Sequence, residues 1–401
     1  MFTNLDNVES WRSFLPSLTI TSSSNSSSSS SSSPQPPPPS ATILNDLKED
    51  GFSLSAPVHP NTALLQKLRE AIQYLHDNNL PPSFIALYDE CFELADFYKG
   101  NVFHGTKNHF NFDILAWCID PSKSECGFSP HRDRQPPNSQ IKASFHENGL
   151  AKYVTCWTAL SPATPDNSCL YVIPKPHDPG YMKGDDDDND NASPDPLSRC
   201  LQSKTDYQNI RACPRSPGES LVFTHRLIHW GSAGSKRSQS PPRIAISFVA
   251  SSLDFESPYL TCGESRPNFL QRLVLICAQL IIYYQRFPSI IDYKHLKLIH
   301  SVVENNAQAV GLEEKYRKKV QQEFLMATTE LAFQPGNDSE DEEEALAAML
   351  NNDEGDFEDD FVDEEEENEN ECVSSDDDDD DDDEPAFVIG LPPHKKAKHN
   401  N

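Results

Sequence analysis

Residues 128–135 read FSPHRDRQ, and within them His131 and Asp133 stand two positions apart. In an extended segment, residues i and i+2 point the same way, so this spacing offers an imidazole and a carboxylate to one point in space. A lone H-x-D pair recurs by chance. It becomes a metal site only with a third ligand from a distant strand, and LVFTHRLIHWGSAG supplies two candidates, His225 and His229. Two histidines and one carboxylate on one face of a metal leave three positions open, an arrangement suited to non-haem Fe(II). Arg243 lies 14 residues beyond His229, in PPRIAISF. An oxygenase that consumes 2-oxoglutarate must also hold the far carboxylate of that co-substrate, and a planar guanidinium does so with two parallel hydrogen bonds. Ser247 and Ser232 are hydroxyls placed to add to such an anchor.

These residues need a scaffold of strands, and the surrounding sequence reads that way. NFDILAWCI, YVTCWTAL, SCLYVIP, ESLVFTH and RIAISFVAS are short apolar or alternating runs separated by Pro, Gly, Asn and Asp. Their β-branched content and spacing predict an antiparallel sandwich or barrel. Helices flank it. LKEDGFSL predicts the end of a short helix near Gly51 and a strand from Phe52. HPNTALLQKLREAIQYL places Leu64, Leu65, Leu68, Ile72 and Leu75 at helical spacing, with Asn61 as its N-cap. After Pro267 the pattern is helical to about Phe333. LVLICAQLIIYY, within that stretch, is too short to span a bilayer and predicts a buried helix.

The net charge of −30 is unevenly placed. After Pro335 come 28 of the 63 acidic residues and only 3 of the 33 lysines and arginines, so the preceding body is nearly neutral. Nucleic acid is therefore not expected as a partner of the body, while the acidic tail suits basic proteins. Polyserine followed by polyproline in TSSSNSSSSSSSSPQPPPPS cannot bury enough apolar area to fold. YMKGDDDDNDNASPDP reads as an acidic insert between strands. The expected organisation is a disordered arm over 1–40, a catalytic β domain over 41–260, a helical extension over 261–334 and a disordered acidic tail over 335–401. Ten cysteines without a C-x-x-C pair predict reduced thiols, and the start lacks the pattern of a secretory signal. A cytoplasmic or nuclear protein without a membrane span is expected, and the terminal HKKAKH is a short basic cluster of the kind that directs nuclear import.

From LKEDGFSL to RIAISFVAS, roughly residues 43 to 251, the chain resembles the phytanoyl-CoA dioxygenase family of Fe(II)/2-oxoglutarate oxygenases. The motifs that carry the resemblance are TCWTALSPATPDNSCLYVIPKPHD, GESLVFTHRLIHWGSAG and RIAIS. The resemblance implies a double-stranded β-helix, a distorted jelly roll. It implies His131, Asp133 and His229 as iron ligands, with His225 in the wall, Arg243 as the co-substrate anchor and Trp157 lining the pocket. Fe(II), 2-oxoglutarate and O2 follow, with succinate and CO2 as co-products. Because Asp133 is a carboxylate, it leaves no iron vacancy for a halide, which favours hydroxylation of a small organic substrate, lipid-like or anionic. Two other readings stay open: a nuclear oxygenase acting on protein or nucleic acid, and a non-catalytic binding module. Arg132, Arg134 and Lys142 would form an entrance patch for an anionic substrate.

Overall fold

The five predicted strand runs form strands whose residues are nearly all buried. In a computed structural model the described residues are 5–21, 41–185, 195–235, 240–261, 266–287 and 290–332. Along the chain the elements are α1 (Val8–Phe14), α2 (Ala41–Glu49), β1 (Phe52–Ser53), α3 (Thr62–Asp77), α4 (Asp89–Asn101), β2 (His109–Ile119), β3 (Tyr153–Ala159), β4 (Leu170–Ile173), α5 (Leu197–Cys200), β5 (Arg211–Cys213), β6 (Ser220–Thr224), β7 (Ile228–Gly231), β8 (Arg243–Ser251), α6 (Phe269–Ile282), α7 (Tyr293–Val310) and α8 (Glu314–Ala332).

Two antiparallel sheets carry the fold. One runs β1-β6-β3-β8-β2 and the other β5-β4-β7. Together with the flanking helices they make the double-stranded β-helix implied by the sequence. Residues directly opposite on neighbouring strands share a face, and the register places Trp157 opposite both Leu221 and Ser247. With Ser247 opposite Leu115 and Arg243 opposite Ile119, one face of the large sheet carries Thr155, Trp157, Arg243, Ser247, Phe223 and Trp117. The other face carries Ile244, Ile246, Phe248 and Cys156. Against it pack α3 and α4, where Tyr98 meets Phe248 at 6.0 Å between ring centroids. Burial on both faces explains why these strands read as continuous apolar runs rather than strict alternation.

The flanking helices start as their sequences dictate. The Asn61 side chain accepts a hydrogen bond from the Leu64 N–H and caps α3, as predicted. In α6 the Asn268 and Gln271 side chains each bond the other's backbone N–H, a reciprocal cap. The apolar run that follows, from Leu273 onward, is buried against the body. Arg272, on the same helix, pairs with Asp89 at 2.7 Å. The extension thus closes onto the β domain. No described helix is long and apolar enough to cross a membrane.

The N-terminal expectation needs correction. Order does not begin at residue 41, because residues 5–21 fold onto the body. Asn7 caps α1, Trp11 is fully buried against Phe84, and the Tyr88 hydroxyl donates to the Trp11 carbonyl at 2.8 Å. The carboxylates of Asp89 and Glu90 accept from the backbone of Thr21 and Thr19. One large aromatic side chain and two acidic partners far away in sequence hold this segment, and neither signal is local. The polyserine–polyproline stretch, residues 186–194 of the acidic insert and the acidic tail lie outside the described residues.

Candidate metal centre

His131 lies in an extended segment that pairs with β7. His131 and His229 exchange both backbone hydrogen bonds, at 3.1 and 3.0 Å. Such a pair points both side chains to the same side. The close approach is possible because Gly127 faces Gly231 across the same pairing: a Cβ on Gly127 would lie 2.5 Å from the Gly231 Cα. Larger residues there would push the two histidine-bearing segments apart.

Among the described residues, His131, Asp133 and His229 form a group whose ligand atoms all lie within 4.8 Å of one another. Asp133 Oδ1 is 3.4 Å from His229 Nε2 and 3.9 Å from His131 Nε2. The ring orientations follow from the backbone. His131 Nδ1 bonds the Ser129 carbonyl at 2.8 Å, and His229 Nδ1 bonds the Leu227 carbonyl at 3.1 Å. A carbonyl partner fixes Nδ1 as the protonated nitrogen and leaves the Nε2 lone pair as a ligand. Burial, together with the nearby His229 and the positive charge of Arg286, depresses the His131 pKa, so its ring is neutral and ready to coordinate. The carboxylate is oriented by a residue sequence reasoning missed: Thr155, on β3, donates to Asp133 Oδ2 at 2.5 Å. That bond occupies one oxygen and turns the other toward both imidazoles.

His225 is brought close in sequence but not into this group. It is fully buried, its Nε2 contacts the Ser144 hydroxyl at 2.9 Å, and its ring packs among Phe145, Tyr153 and Phe255. Burial and neighbouring arginines hold its pKa well below the ordinary value. It is a wall residue.

Arg243 is 2% exposed. Among the described residues no carboxylate pairs with it, and its buried Nε has no hydrogen-bond partner. Its guanidinium lies over the Trp157 ring at 5.6 Å, and a Cβ placed on Gly231 would be 3.5 Å from its Nη2. The guanidinium therefore reaches from the large sheet across to β7, beside His229. The Trp157 indole N–H and the Ser168 hydroxyl are likewise buried without partners, and Ser168 Oγ would lie 3.1 Å from the same Gly231 Cβ. Ser247 is buried on the Trp157 side of β8, and Ser232 is half-buried just past β7. A buried cation with orphaned donors close by is costly unless an anion pairs with it.

The entrance patch does not form. Arg132 is buried in a fork against Asp178 and Asp185, with closest approaches of 2.6 Å to each, and also donates to the Arg226 carbonyl. Arg134 is buried against Glu256 at 2.8 and 3.0 Å and packs over Tyr153. Only Lys142 of the three is exposed. The arginines are held by acids distant in sequence, so they brace the H-x-D segment instead of greeting substrate.

Residues 61–245 match the model of the phytanoyl-CoA dioxygenase (PhyH) family. Those residues are a PhyH-type domain by that match. The match spans the segments that carry His131, Asp133, His229 and Arg243, and ends before the helical extension. No curated protein sequence matches the chain. Among solved structures it is similar to HygX from Streptomyces hygroscopicus with nickel and 2-oxoglutarate bound, at 13% identity over 58% of this chain and 95% of that one, TM-score 0.38. It is also similar to the non-heme alpha ketoglutarate dependent carbocyclase SnoK from nogalamycin biosynthesis, at 16% identity over 56% and 88% of the two chains, TM-score 0.39. A third is the epimerase SnoN in complex with Fe3+, alpha ketoglutarate and nogalamycin RO, at 12% identity over 52% and 82%, TM-score 0.35.

Proposed function

We propose that this protein is an Fe(II)- and 2-oxoglutarate-dependent dioxygenase that hydroxylates a C–H bond of a small organic substrate. The observation that carries the reading is the pairing of two features at one strand, β7, which carries His229 and, two residues on, the Gly231 beside which the Arg243 guanidinium lies. A group of two histidines and one aspartate has both Nε2 atoms and one carboxylate oxygen converging, and a buried arginine beside it has no carboxylate of its own among the described residues. His131, Asp133 and His229 would hold the iron. Arg243, with Ser247, Ser232 and Trp157 around it, would hold the distal carboxylate of 2-oxoglutarate. The donor set fits: three hard or borderline ligands suit Fe(II), and a cation facing orphaned donors suits a dicarboxylate. With O2, iron and 2-oxoglutarate together supply the oxidising chemistry and yield succinate and CO2.

The chain's own residues do the positioning. The paired backbones of His131 and His229 fix the two imidazoles, and the carbonyls of Ser129 and Leu227 fix their tautomers. Thr155 holds Asp133 so that a single oxygen faces the metal position. Trp157 and Phe223, which packs 4.4 Å from the His229 ring, keep this side of the site dry. Dryness strengthens the charge pairing at Arg243. Elemental analysis after anaerobic dialysis against Fe(II) tests the ligand set. One equivalent is expected in the wild type and far less in His131→Ala and Asp133→Ala. Full retention in both variants would remove the metal centre from this group.

A further inference from the structure

We infer that the chain beyond β8 sets the metal affinity of the site: Glu256, Tyr259 and Gln279 are positioning residues that hold Arg134, and through it the backbone from which the Asp133 carboxylate projects. This rests on the reading of His131, Asp133 and His229 as the metal centre. All three positioning residues lie beyond the family match, which ends at residue 245.

Arg134 directly follows Asp133. Its Nη1 donates to the Asp133 carbonyl at 2.7 Å, while Nε and Nη2 form a fork on the Glu256 carboxylate at 2.8 and 3.0 Å. The Tyr259 hydroxyl donates to the same carboxylate at 2.6 Å and lies 3.2 Å from Asp113 Oδ2. Asp113 stands 3.8 Å from Arg134, and its Oδ1 accepts from Gln279 Nε2, on α6, at 2.9 Å. Tyr259 is fixed from behind by α8. Its ring stacks on Tyr316 at 3.7 Å with 3° between the planes, and its carbonyl accepts from the Glu313 N–H at 2.9 Å. Arg134, Asp113, Tyr259 and Gln279 are all buried. Two routes therefore run from the extension to the residue beside a proposed metal ligand, one through Tyr259 and Glu256 and one through Gln279 and Asp113.

Strand β2 is bent to complete this network. Its register against β8 shifts between Phe110 and Ile114, and Phe112, within that bulge, has φ 68°, a conformation that bulky residues rarely adopt. The Asn111 carbonyl accepts the Tyr259 N–H at 3.0 Å, and the Asn111 side chain accepts the Asp113 N–H at 2.9 Å. The strained turn thus ties Asp113 to the chain beyond β8, and strain of this kind collects at functional sites. A buried arginine shared by two carboxylates is a costly way to hold a core together, because apolar packing of similar volume stabilises as well or better. What the guanidinium adds is direction: its rigid fork fixes one peptide group in place. That peptide belongs to Asp133, whose side chain Thr155 orients from the other side. Outer partners that aim a metal ligand in this way change metal affinity by about 10–100-fold.

The test uses the full-length protein with Co(II) as the probe, its affinity read by calorimetry and its ligand geometry by visible absorption. Glu256→Gln and Gln279→Leu should each weaken Co(II) binding about ten-fold and shift the absorption bands. Val303→Ala, in the fully buried core of α7 and away from the network, is the control for a merely structural role. It should lower the urea midpoint and keep the Co(II) affinity and spectrum. Unchanged Co(II) affinity in both network variants would overturn the inference. So would an equal loss in Val303→Ala, which would tie metal binding to the stability of the extension as a whole. Amide exchange across residues 128–135 is followed in the metal-free proteins as a second measurement. It should quicken in Glu256→Gln and Gln279→Leu and not in Val303→Ala, and equal exchange in all four proteins would overturn the brace whatever the metal does. A wild type that takes no Co(II) while exchange responds as stated would count against the metal centre and not against the brace.

Discussion

Replacing Arg243 by methionine should make the ligand-free protein more stable while removing its response to 2-oxoglutarate. The argument starts from burial. Without a carboxylate partner among the described residues, desolvation lowers the Arg243 pKa to about 10 from an ordinary 12.5. A cation whose folded pKa is depressed opposes folding at every pH below that value, so the penalty is fully present at pH 7. At 1.36 kcal/mol per pKa unit, the shift corresponds to about 3 kcal/mol. Stacking on Trp157 offsets about 1 kcal/mol, and methionine, similar in length and apolar, keeps most of the packing. A net gain of about 1–2 kcal/mol is expected in urea unfolding of the apoprotein. The wild type, but not the variant, should then gain stability when Ni(II) and 2-oxoglutarate are added, by about 2.7 kcal/mol at a hundred-fold excess over Kd. An apoprotein destabilised by several kcal/mol in Arg243→Met would mean that the guanidinium serves the fold. A retained 2-oxoglutarate response would place the anchor elsewhere.

Three further outcomes follow from the same geometry. Thr155→Val removes the donor to Asp133 Oδ2 and should weaken Ni(II) affinity about 10–100-fold in calorimetric titration, with Thr155→Ser close to wild type; equal affinities in all three would show that Asp133 orients itself. Burial raises the Asp113 pKa to about 6, against the pull of Arg134. Because this folded pKa is raised, the associated stability is full below about 4 and is lost as pH rises through 6, so Asp113→Asn should gain relative stability between pH 4 and 7 in unfolding titrations, and a pH-independent difference would contradict it. Gly231→Ala should lower both metal and 2-oxoglutarate affinity, since its Cβ would press on the Gly127 backbone and on Ser168 and would fill the space next to the Arg243 guanidinium; unchanged binding would show that the pairing of the two histidine segments tolerates spreading.

Much of this was legible because the signals are local. Strands β2, β3, β4, β6 and β8 read from apolar runs bounded by turn residues, α3 from its spacing and Asn61, and α6 from a long apolar stretch interrupted by a single Gln. The H-x-D spacing and the order of the later histidine and arginine marked the cluster. Choosing His229 over His225 needed the family resemblance, because both lie in one short strand–turn–strand segment and spacing alone does not separate them. What could not be read depends on partners far away in the chain. Arg132 and Arg134 look like solvent-facing loop residues until Asp178, Asp185 and Glu256 fold against them. Thr155 is one of several strand threonines until the register sets it opposite Phe223, over Asp133. Trp11 lies just ahead of a polyserine run, and its burial against Phe84 has no counterpart in its own neighbourhood. Arg286 belongs to a helical segment without motif character, and only tertiary packing brings it to Phe128.

The central claim is most directly tested by succinate formation from 2-oxoglutarate by the full-length protein with Fe(II) and O2, measured beside His229→Ala and His225→Ala. Iron-dependent succinate is expected in the wild type, lost in His229→Ala and substantially kept in His225→Ala. Succinate that survives in His229→Ala, or its absence from the folded, iron-loaded wild type, would contradict the account.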